Sequence, residues 1–390
     1  MRIVDVCAFY APQGGGVKTY VERKLHAGAA AGHDIIILAP GEKLARRPAR
    51  GGSVVTIPAK RFPLDRRYHY FDDEAALHRM LDALAPDLVE ASSPWSSASM
   101  VARWRGDVPR ALVMHADPLS AYAYRWFGNV APRAAIDRGF DWYWRHLRRL
   151  GQAFDMVVSA NDSLSARLRA GGVGSVCTVP MGVEPHIFTP SHRDAALRRQ
   201  LLARCGLDEN GLLLMGVGRH APEKRWPMVI QAATLAGYRR PVGLVLLGDG
   251  RDSARVRRAA AHNPHIHLLA PTTDRRRLAS LLASADALVH GCEAETFCMT
   301  AAEARASGVP VIVPDEGGAA DHARSGIGLR FRAGDTASLV EAIENFAATD
   351  PDIWRSRAAT AAASVTTMDE HFSWLFEAYS SLRTAVRHAA

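Results

Sequence analysis

The segment that decides the fold is Leu212–Lys224, which reads LLLMGVGRHAPEK. Its first part is apolar and too short for an ordinary helix, and it ends in a turn that begins with Gly218. A short apolar run bounded by glycine is typical of a strand buried on both faces. The turn carries Arg219 and Lys224, so the pattern places two cations just beyond the carboxyl end of a buried strand.

Similar apolar runs recur along the chain and alternate with segments of helical periodicity, which predicts an α/β fold with parallel sheets covered by helices. The predicted strands are Ile3–Phe9, Asp34–Leu38, Val54–Ile57, Leu88–Ala91, Ala111–His115, Met156–Ser159, Val176–Pro180, Leu212–Val217, Gly243–Leu247, Ile266–Leu269, Ala287–His290 and Val309–Val313. The predicted helices are Val17–Ala31, Glu74–Leu84, Ser163–Ala170, Pro227–Ala236, Arg275–Ala285, Thr300–Ser307 and Thr336–Phe346. Two successive sheets are expected, with a Pro- and Gly-interrupted hinge at 182–191 and a ligand cleft between the domains.

Composition limits the function classes. The 390 residues are 48% hydrophobic, and the five cysteines are scattered without a CxxC pair. This excludes a disulfide scaffold and a Cys-rich zinc site and favours the cytoplasm. No apolar run approaches the ~20 residues of a membrane span, and the N-terminal sequence does not resemble a signal peptide.

The net charge of +8 favours phosphate-bearing ligands or an anionic membrane surface, although an arginine-biased composition explains it equally well. Only five of the 48 basic residues are lysines, so Lys224 in the turn after a strand is notable. Together, Arg219 and Lys224 could neutralise a diphosphate, or they could be solvated loop charges.

Two further loops have the composition of phosphate or sugar sites. Gly14-Gly15-Gly16 follows the first strand and leads into a helix, where the backbone could approach a phosphate or form a plain flexible turn. Glu295 and Glu303 stand eight residues apart across a loop that leads into a helix starting near Met299 or Thr300. Such a pair offers one carboxylate to a sugar and one to a ribose diol, with the helix N-terminus facing a diphosphate.

This ordered set of motifs resembles the retaining glycosyltransferases of the family-four group, which have the GT-B fold of two Rossmann-like domains facing a central cleft. The resemblance rests on Gly218-Arg219-x4-Lys224, Glu295-x7-Glu303, Gly317-Gly318 and the N-terminal glycines. It implies an acceptor domain over 1–185, a nucleotide-sugar domain over 186–365 and a helix over 366–390 that packs back on the first domain.

The resemblance also implies residue roles. Arg219 and Lys224 hold the donor diphosphate near Gly218, and Glu303 holds the ribose. Glu295 contacts the transferred sugar together with backbone amides of Phe297, Cys298 and Met299. Gly15 and Gly16 approach from the other domain, and His115 lies beside the donor sugar. The catalytic set is therefore His115, Glu295, Arg219 and Lys224.

Five positions depart from that family's pattern or remain open. Arg225 and Trp226 follow Lys224, where the family usually has glycine first, and Asp321 stands where a glutamate commonly follows Gly-Gly. His115 ends an apolar strand, where a lone histidine is more often a packed residue than a catalyst, and only the resemblance favours involvement. Asp117 could orient His115 or contact the acceptor.

The acceptor region is indicated by basic and aromatic segments in the first half, including Arg66 and Tyr124. Over 122–149, Ile136, Phe140, Tyr143, Leu147 and Leu150 share one helical stripe, which leaves Arg138, Trp142, Arg145 and Arg149 on another side. This segment could bind an acceptor or an anionic lipid surface, or it could be a core stripe with a solvated face.

The late segment with Phe372, Trp374 and Tyr379 has helical spacing.

The predicted function is transfer of a hexose from a UDP- or GDP-linked donor to a hydroxyl of a lipid, a lipid-linked glycan or another glycan, with no cofactor and no metal. The only Asp-x-Asp, Asp350–Asp352, is best explained as a helix cap. The enzyme is expected in the cytoplasm, peripheral to the inner face of the plasma membrane, without nucleic acid. The alternatives are a basic lipid- or nucleic-acid-binding protein without transferase activity and a nucleotide-sugar epimerase on the same fold.

Overall fold

The computed structural model describes residues 1–10, 16–63, 68–115, 117–127, 130–323 and 326–389. Its strands are β1 Arg2–Val6, β2 Asp34–Gly41, β3 Ala45–Ala49, β4 Gly52–Pro58, β5 Lys60–Arg61, β6 His69–Tyr70, β7 Leu88–Ala91, β8 Arg110–Met114, β9 Met156–Ser159, β10 Val176–Thr178, β11 Leu212–Val217, β12 Val242–Leu247, β13 Ile266–Leu269, β14 Ala287–Val289, β15 Val311–Pro314 and β16 Gly328–Phe331.

The α-helices are α1 Gly16–Ala30, α2 Glu74–Leu84, α3 Ser96–Arg103, α4 Tyr124–Phe127, α5 Arg133–Gly139, α6 Asp141–Ala153, α7 Asp162–Ala170, α8 Ala195–Arg204, α9 Trp226–Ala236, α10 Ser253–Ala260, α11 Arg275–Ala283, α12 Met299–Ala306, α13 Gly317–Asp321, α14 Thr336–Ala348, α15 Pro351–Ala362 and α16 Met368–Ala389. A π-helical turn spans Leu119–Ala123, and short 3-10 turns span Pro190–His192 and Pro222–Lys224. None of the described helices is both long and apolar enough to cross a bilayer.

The chain divides into two compact units. Unit 1 comprises Met1–Ala116, Gly128–Pro180 and Met368–Ala390, and unit 2 comprises Asp117–Phe127 and Met181–Thr367. Each unit has one large sheet of the kind expected from the apolar runs.

Unit 1 has the strand order β10-β9-β8-β7-β1-β2-β4-β3, which is parallel except for β3. The chain winds outward from β1 in both directions, so the topological switch point lies between β1 and β7. The antiparallel edge strand β3 and the small β5–β6 ribbon were not predicted, because their exposed, polar residues lack the apolar pattern of a buried strand.

Unit 2 has the fully parallel order β13-β12-β11-β14-β15-β16. Its switch point lies between β11 and β14, the two strands that precede the Arg219–Lys224 turn and the Glu295 loop. Both faces of this sheet are covered, since β12 is buried at every position and apolar clusters lie on either side. The predicted α/β architecture with parallel sheets is therefore confirmed.

A buried ion cluster joins the central strands of unit 1 to two helices. The Lys24 ammonium on α1 donates to Asp5 Oδ2 on β1 at 2.9 Å and to Glu90 Oε2 on β7. The hydroxyl of Tyr379 on α16 donates to the same Glu90 oxygen at 2.7 Å, and Ser92 Oγ donates to Asp5 Oδ1 at 2.5 Å. All three charged side chains are fully buried. Burial and the charge of Glu90 raise the pKa of Asp5, although Lys24 opposes both effects.

The cluster predicts that two lysines of α1 contribute very differently to the free energy of unfolding. Lys24→Met strands two buried carboxylates and is expected to lower the free energy of unfolding of unit 1 by about 3–5 kcal/mol. The control is Lys18→Met, whose partly exposed ammonium lies 3.7 Å from Glu22 and whose loss costs about 1 kcal/mol or less. Urea denaturation followed by hydrogen exchange of β1 and β7 amides measures both values, and equal losses would contradict a structural role for the cluster.

Candidate active site

The turn after β11 is held rigidly while its arginine stays exposed. Gly218 has φ 154°, a region that favours glycine, and the side chain of Arg219 is 79% exposed. The carbonyl oxygen of Arg219 accepts a 3.0 Å hydrogen bond from Nε1 of the fully buried Trp226. The Arg219 guanidinium lies 3.4 Å from Glu223 in the same turn. A fixed backbone with a solvent-facing guanidinium is suited to grip an incoming phosphate.

The central feature of unit 2 is an ion pair between loops that follow adjacent strands. The Lys224 ammonium, after β11, donates to Glu295 Oε1, after β14. His290, which ends the same strand run as β14, is fully buried, and its Nε2 lies 3.5 Å from that oxygen. Within the described residues, neither ring nitrogen of His290 makes a hydrogen bond. The pair therefore brings together two of the predicted catalytic residues at the switch point of the sheet.

Electrostatics keep this pair charged. Burial alone would raise the pKa of Glu295, but His290 and Lys224 outweigh it and lower that pKa. Burial likewise opposes the charge on Lys224, yet Glu295 raises the lysine pKa. An ammonium has three N–H donors and Glu295 takes one, so Lys224 can also bind phosphate oxygens.

A second ion pair, which the sequence analysis missed, fastens the same two loops. Arg225 has φ 51° and donates through Nε to Glu293 Oε2 at 2.8 Å and through a terminal nitrogen to Glu293 Oε1. Glycine, which the family resemblance leads one to expect here, adopts this left-handed backbone without strain, and the two-pronged ion pair compensates for arginine in this chain. The signal available in the sequence was Glu293, two residues before Glu295, but nothing local assigns it to Arg225.

The glycine pair Gly317-Gly318 supports the Glu295 loop from a third strand end. The N–H of Gly318 donates to the carbonyl oxygen of Glu295 at 2.7 Å, and a Cβ on Gly318 would lie 2.5 Å from backbone atoms of Thr296. His322 Nε2 is 2.5 Å from the carbonyl oxygen of Phe297. Only glycine permits this approach, so the loop is held by backbone contact.

Helix α12 begins at Met299, as predicted, directly after Cys298, which is buried and has φ 63°. The first N–H groups of a helix have no partner within it and carry a partial positive charge. Phe297, Cys298 and Met299 therefore lie where backbone donors for a sugar or diphosphate are expected.

Glu303 is buried in α12 rather than exposed. Its side chain is 6% exposed, and its Oε1 accepts a 2.5 Å hydrogen bond from Arg275. Arg275 also donates to Glu184 at 2.6 Å and stacks 4.9 Å from the ring centre of Phe188. Burial raises the pKa of Glu303, and Arg275 counters part of that rise. The carboxylate retains acceptor sites suited to a ribose diol.

One group of potential metal ligands lies at this site. His290, Cys292 and Glu295 place a ring nitrogen, a thiol sulfur and a carboxylate oxygen within 4.8 Å of one another. The Lys224 ammonium already pairs with the carboxylate of this group, and burial raises the pKa of Cys292 to about 12, so a metal ion here would have to displace the ammonium and release the thiol proton.

In unit 1, His115 follows β8 directly and is partly buried. Its ring packs edge-on against Tyr20 of α1 with centroids 4.8 Å apart, and Tyr20 OH lies 3.1 Å from Nε2 of His371 on α16. Burial lowers the pKa of His115 to about 4, so the imidazole is neutral at physiological pH. A neutral ring can donate or accept one hydrogen bond at each nitrogen.

The remaining predicted residues are less informative. Gly15 and Arg66 lie outside the described residues, and Gly16 is the first residue of α1. Asp117 accepts a hydrogen bond from the hydroxyl of Ser120, and Tyr124 is buried at the start of α4. The Asp350 side chain caps α15, which agrees with its interpretation as a helix cap.

Comparison with known proteins follows the same division of the chain. Residues 14–187 match the profile of Glycosyltransferase Family 4, and residues 198–363 match that of Glycosyl transferases group 1. Among solved structures, sucrose-phosphate synthase from Thermosynechococcus elongatus has a TM-score of 0.74 at 18% identity and covers 99% of this chain and 100% of that one. Anabaena HepE in complex with UDP and glucose has a TM-score of 0.69 at 18% identity and covers 98% and 100%.

Sequence relatives extend over most of the chain. The GDP-mannose-dependent alpha-(1-6)-phosphatidylinositol dimannoside mannosyltransferase of Mycobacterium tuberculosis is 31% identical over 317 residues, which are 80% of this chain and 79% of that protein. A GDP-mannose-dependent alpha-mannosyltransferase of the same species is 32% identical over 329 residues, or 82% of this chain and 81% of the relative.

The fold and the site define a glycosyltransferase with the GT-B fold, which transfers sugar from a nucleotide diphosphate donor to a lipid or glycan acceptor. The chain belongs to glycosyltransferase family 4. The predicted family and the predicted transferase class are confirmed.

Buried neutral histidines in both units predict a loss of stability at mildly acidic pH. Burial lowers the pKa of His115, His322 and His371 to about 4 each, against 6.5 for an ordinary histidine. Below pH 6.5 the unfolded chain binds more protons than the folded chain, so stability falls as pH drops from 6.5 towards 4 and is independent of these groups above about pH 7.

Urea midpoints between pH 7.5 and 5.5 test this, because most carboxylates do not titrate in that window. His322→Gln keeps a donor for the Phe297 carbonyl and is expected to flatten the pH dependence. An unchanged slope in this variant would show that His322 is not held neutral by burial.

Proposed function

We propose that this enzyme is a retaining, metal-independent mannosyltransferase that uses GDP-mannose and adds an α-linked mannose to a mannosylated phosphatidylinositol lipid. The observation that carries the proposal is the Lys224–Glu295 pair beside Glu303 in a chain whose relatives, over four fifths of its length, are named as GDP-mannose-dependent mannosyltransferases. The names of those relatives supply the donor and the acceptor class, and the site supplies the chemistry.

In this proposal, Arg219 and Lys224 bind the diphosphate near Gly218, and Glu303 accepts hydrogen bonds from the ribose hydroxyls. Glu295 binds hydroxyls of the mannose, together with backbone amides at Phe297, Cys298 and Met299. A carboxylate pre-ionised by an ammonium is a strong acceptor for sugar hydroxyls. The same ammonium can bridge to the phosphate, which couples recognition of the sugar to stabilisation of the leaving group.

The proposed chemical step takes place on one face of the sugar. The bond between the anomeric carbon and the diphosphate oxygen breaks while the acceptor oxygen bonds to that carbon. The acceptor proton passes to the departing diphosphate oxygen. Arg219, Lys224 and the N-terminus of α12 stabilise the charge that develops on the diphosphate, so a metal ion is not required. Glu295 is committed to Lys224, which argues against its use as a nucleophile on the anomeric carbon.

His115 is proposed to act as a neutral hydrogen-bonding group at the transferred sugar, and Gly15 and Gly16 are proposed to bind the donor. Its low pKa excludes an imidazolium at neutral pH and therefore favours positioning and polarisation over acid catalysis.

The acceptor is proposed to be presented at an anionic membrane surface, with Arg66, Asp117 and Tyr124 contributing to its binding. On α6, Tyr143, Leu147 and Leu150 are buried as the predicted core stripe. Trp142 and Arg145 on the other side are 55% and 58% exposed. In unit 2, Tyr122 and Trp126 are also exposed, with ring centres 5.5 Å apart. Exposed indoles with guanidinium groups suit the headgroup region of an anionic bilayer.

The proposed donor site predicts that one substitution weakens nucleotide binding and that another lowers turnover without changing nucleotide binding. Glu303→Gln keeps the side-chain volume beside Arg275 but removes the charge, and it is expected to weaken GDP binding by about ten- to a hundredfold, the equivalent of one or two charge-assisted hydrogen bonds. His115→Ala should leave GDP binding unchanged and lower kcat. The control is Glu341→Gln, an exposed glutamate of α14.

Thermal stabilisation by GDP, UDP, ADP and CMP measures binding. A nucleotide at a hundred times its Kd adds about 2.7 kcal/mol of stability. Stabilisation by GDP that Glu303→Gln abolishes and Glu341→Gln retains supports the assignment. Stabilisation by none of the four nucleotides, or wild-type turnover in both Glu303→Gln and His115→Ala, would contradict it.

A further inference from the structure

A cavity of about 130 Å³ lies at the edge of the unit 2 sheet opposite the donor site. It is lined by residues at the amino ends of the strands, including Leu212 of β11, Pro241 before β12 and Asp286 before β14. Lys224 and Glu295, in contrast, follow the carboxyl ends of β11 and β14. The cavity is thus separate from every residue assigned to the transfer reaction.

The lining of the cavity is strongly cationic. Four guanidinium groups, those of Arg193, Arg198, Arg240 and Arg355, line it together with a single carboxylate, that of Asp286. Clusters of like charge are unfavourable unless counter-charges are present, so this lining favours the binding of an anion.

The carboxylate of Asp286 already has hydrogen-bond partners. Arg198 donates to both Asp286 oxygens, at 2.9 and 2.7 Å, and to the carbonyl oxygens of Glu209 and Gly211 at 2.9 Å. The N–H of Leu213 also donates to Asp286 at 2.8 Å. Arg198 and Asp286 therefore form a closed, mutually satisfied pair that frames the cavity without neutralising its other cations.

Arg193 has the longest ion pair of the cavity lining. Its side chain is 29% exposed, and its closest approach to Asp286 is 3.9 Å, beyond hydrogen-bond distance. Its backbone N–H donates to the carbonyl oxygen of Pro190, but across the described ranges no residue accepts a hydrogen bond from its guanidinium. Burial and the charges of Arg355 and Arg198 lower the pKa of Arg193, and the carboxylates of Asp286 and Asp352 counter only part of that effect. A partly desolvated guanidinium that faces like charges gains from any anion that enters.

The other two arginines and a helix terminus complete the site. Arg355 pairs with the largely exposed Asp352, at 3.0 Å, and Arg240 donates to the carbonyl oxygen of Ala347. Both retain further N–H donors, since a guanidinium carries five. Pro351 and Arg355 belong to the first turns of α15, whose N-terminus adds a partial positive charge.

We propose that this cavity binds a phosphate group, as inorganic phosphate or as a phosphate monoester, through Arg193, Arg240 and Arg355. The planar guanidinium fork matches the tetrahedral oxygens of phosphate, and a cavity of about 130 Å³ accommodates a group of that size. Phosphate bound here neutralises the cationic lining and stabilises unit 2 without occupying the donor site.

The test is a phosphate titration at constant ionic strength, with chloride as the exchanged anion and melting temperature as the readout. Wild type should show saturable stabilisation. Arg193→Gln should weaken it by about tenfold or more, as expected for the loss of one charge-assisted contact. Arg355→Gln, at a more exposed position that tolerates change, should weaken it too. Melting temperatures in chloride alone report whether each variant is folded.

Two control variants locate the effect. Lys224→Gln alters the donor site and should leave the response to phosphate intact. Arg239→Gln changes an exposed arginine, 75% exposed and paired with Glu344, that does not line the cavity. A response lost in Lys224→Gln and retained in Arg193→Gln would assign phosphate binding to the donor site and overturn the proposal. No saturable response in the wild type would also overturn it.

Comparison of inorganic phosphate with mannose 1-phosphate identifies the source of the anion. Tighter binding of the inorganic ion supports a free-phosphate site, and tighter binding of the ester supports a phosphorylated metabolite. Each outcome must retain its dependence on Arg193, since binding of either ligand that is unaffected by Arg193→Gln contradicts the assignment.

Discussion

The donor half of this enzyme depends on one ion pair, that of Lys224 with Glu295. This pair lies at the switch point of the unit 2 sheet, where the order of the strands reverses. β11 and β14 are hydrogen-bonded neighbours, so their following loops emerge side by side. The pair joins these loops, and Arg225 with Glu293 joins them a second time. Gly318 then fixes the Glu295 backbone from the end of a third strand. These contacts fix the carboxylate and the ammonium to which the proposed function assigns the sugar and the phosphate.

Unit 1 also contains a lysine paired with carboxylates, but there the ion cluster has a structural role. Lys24 is also bonded to two carboxylates at a sheet switch point, between β1 and β7, but all three groups are fully buried and Tyr379 closes the network. The result is a structural anchor for α1, whose first turn follows the glycine loop. Lysine is scarce in this chain, and two of its five lysines form the central charge clusters of the two units. Arginine, by contrast, lines surfaces and the cavity around Arg193.

Much of the fold could be predicted because buried parallel strands leave a local signature. Leu88–Ala91, Met156–Ser159, Leu212–Val217 and Ile266–Leu269 were predicted with their observed bounds. Features that depend on residues far apart in sequence were missed. Arg225 and Glu293 are 68 residues apart, and the cationic cavity assembles arginines from α8 and the segment before it, from the segment after α9 and from α15. The rarity that drew attention to Lys224 applied equally to Lys24, whose partners carry no local signal.

The most direct measurement is transfer from GDP-mannose to a phosphatidylinositol mannoside in vesicles, with and without EDTA, followed by NMR of the product's anomeric centre. The account predicts an α-linked mannolipid, formed equally well in EDTA, made faster on anionic than on neutral vesicles and lost in Glu295→Gln. A β-linked product would contradict retention, and loss of activity in EDTA would contradict metal independence. Turnover of a UDP-linked hexose in place of GDP-mannose would overturn the proposed donor.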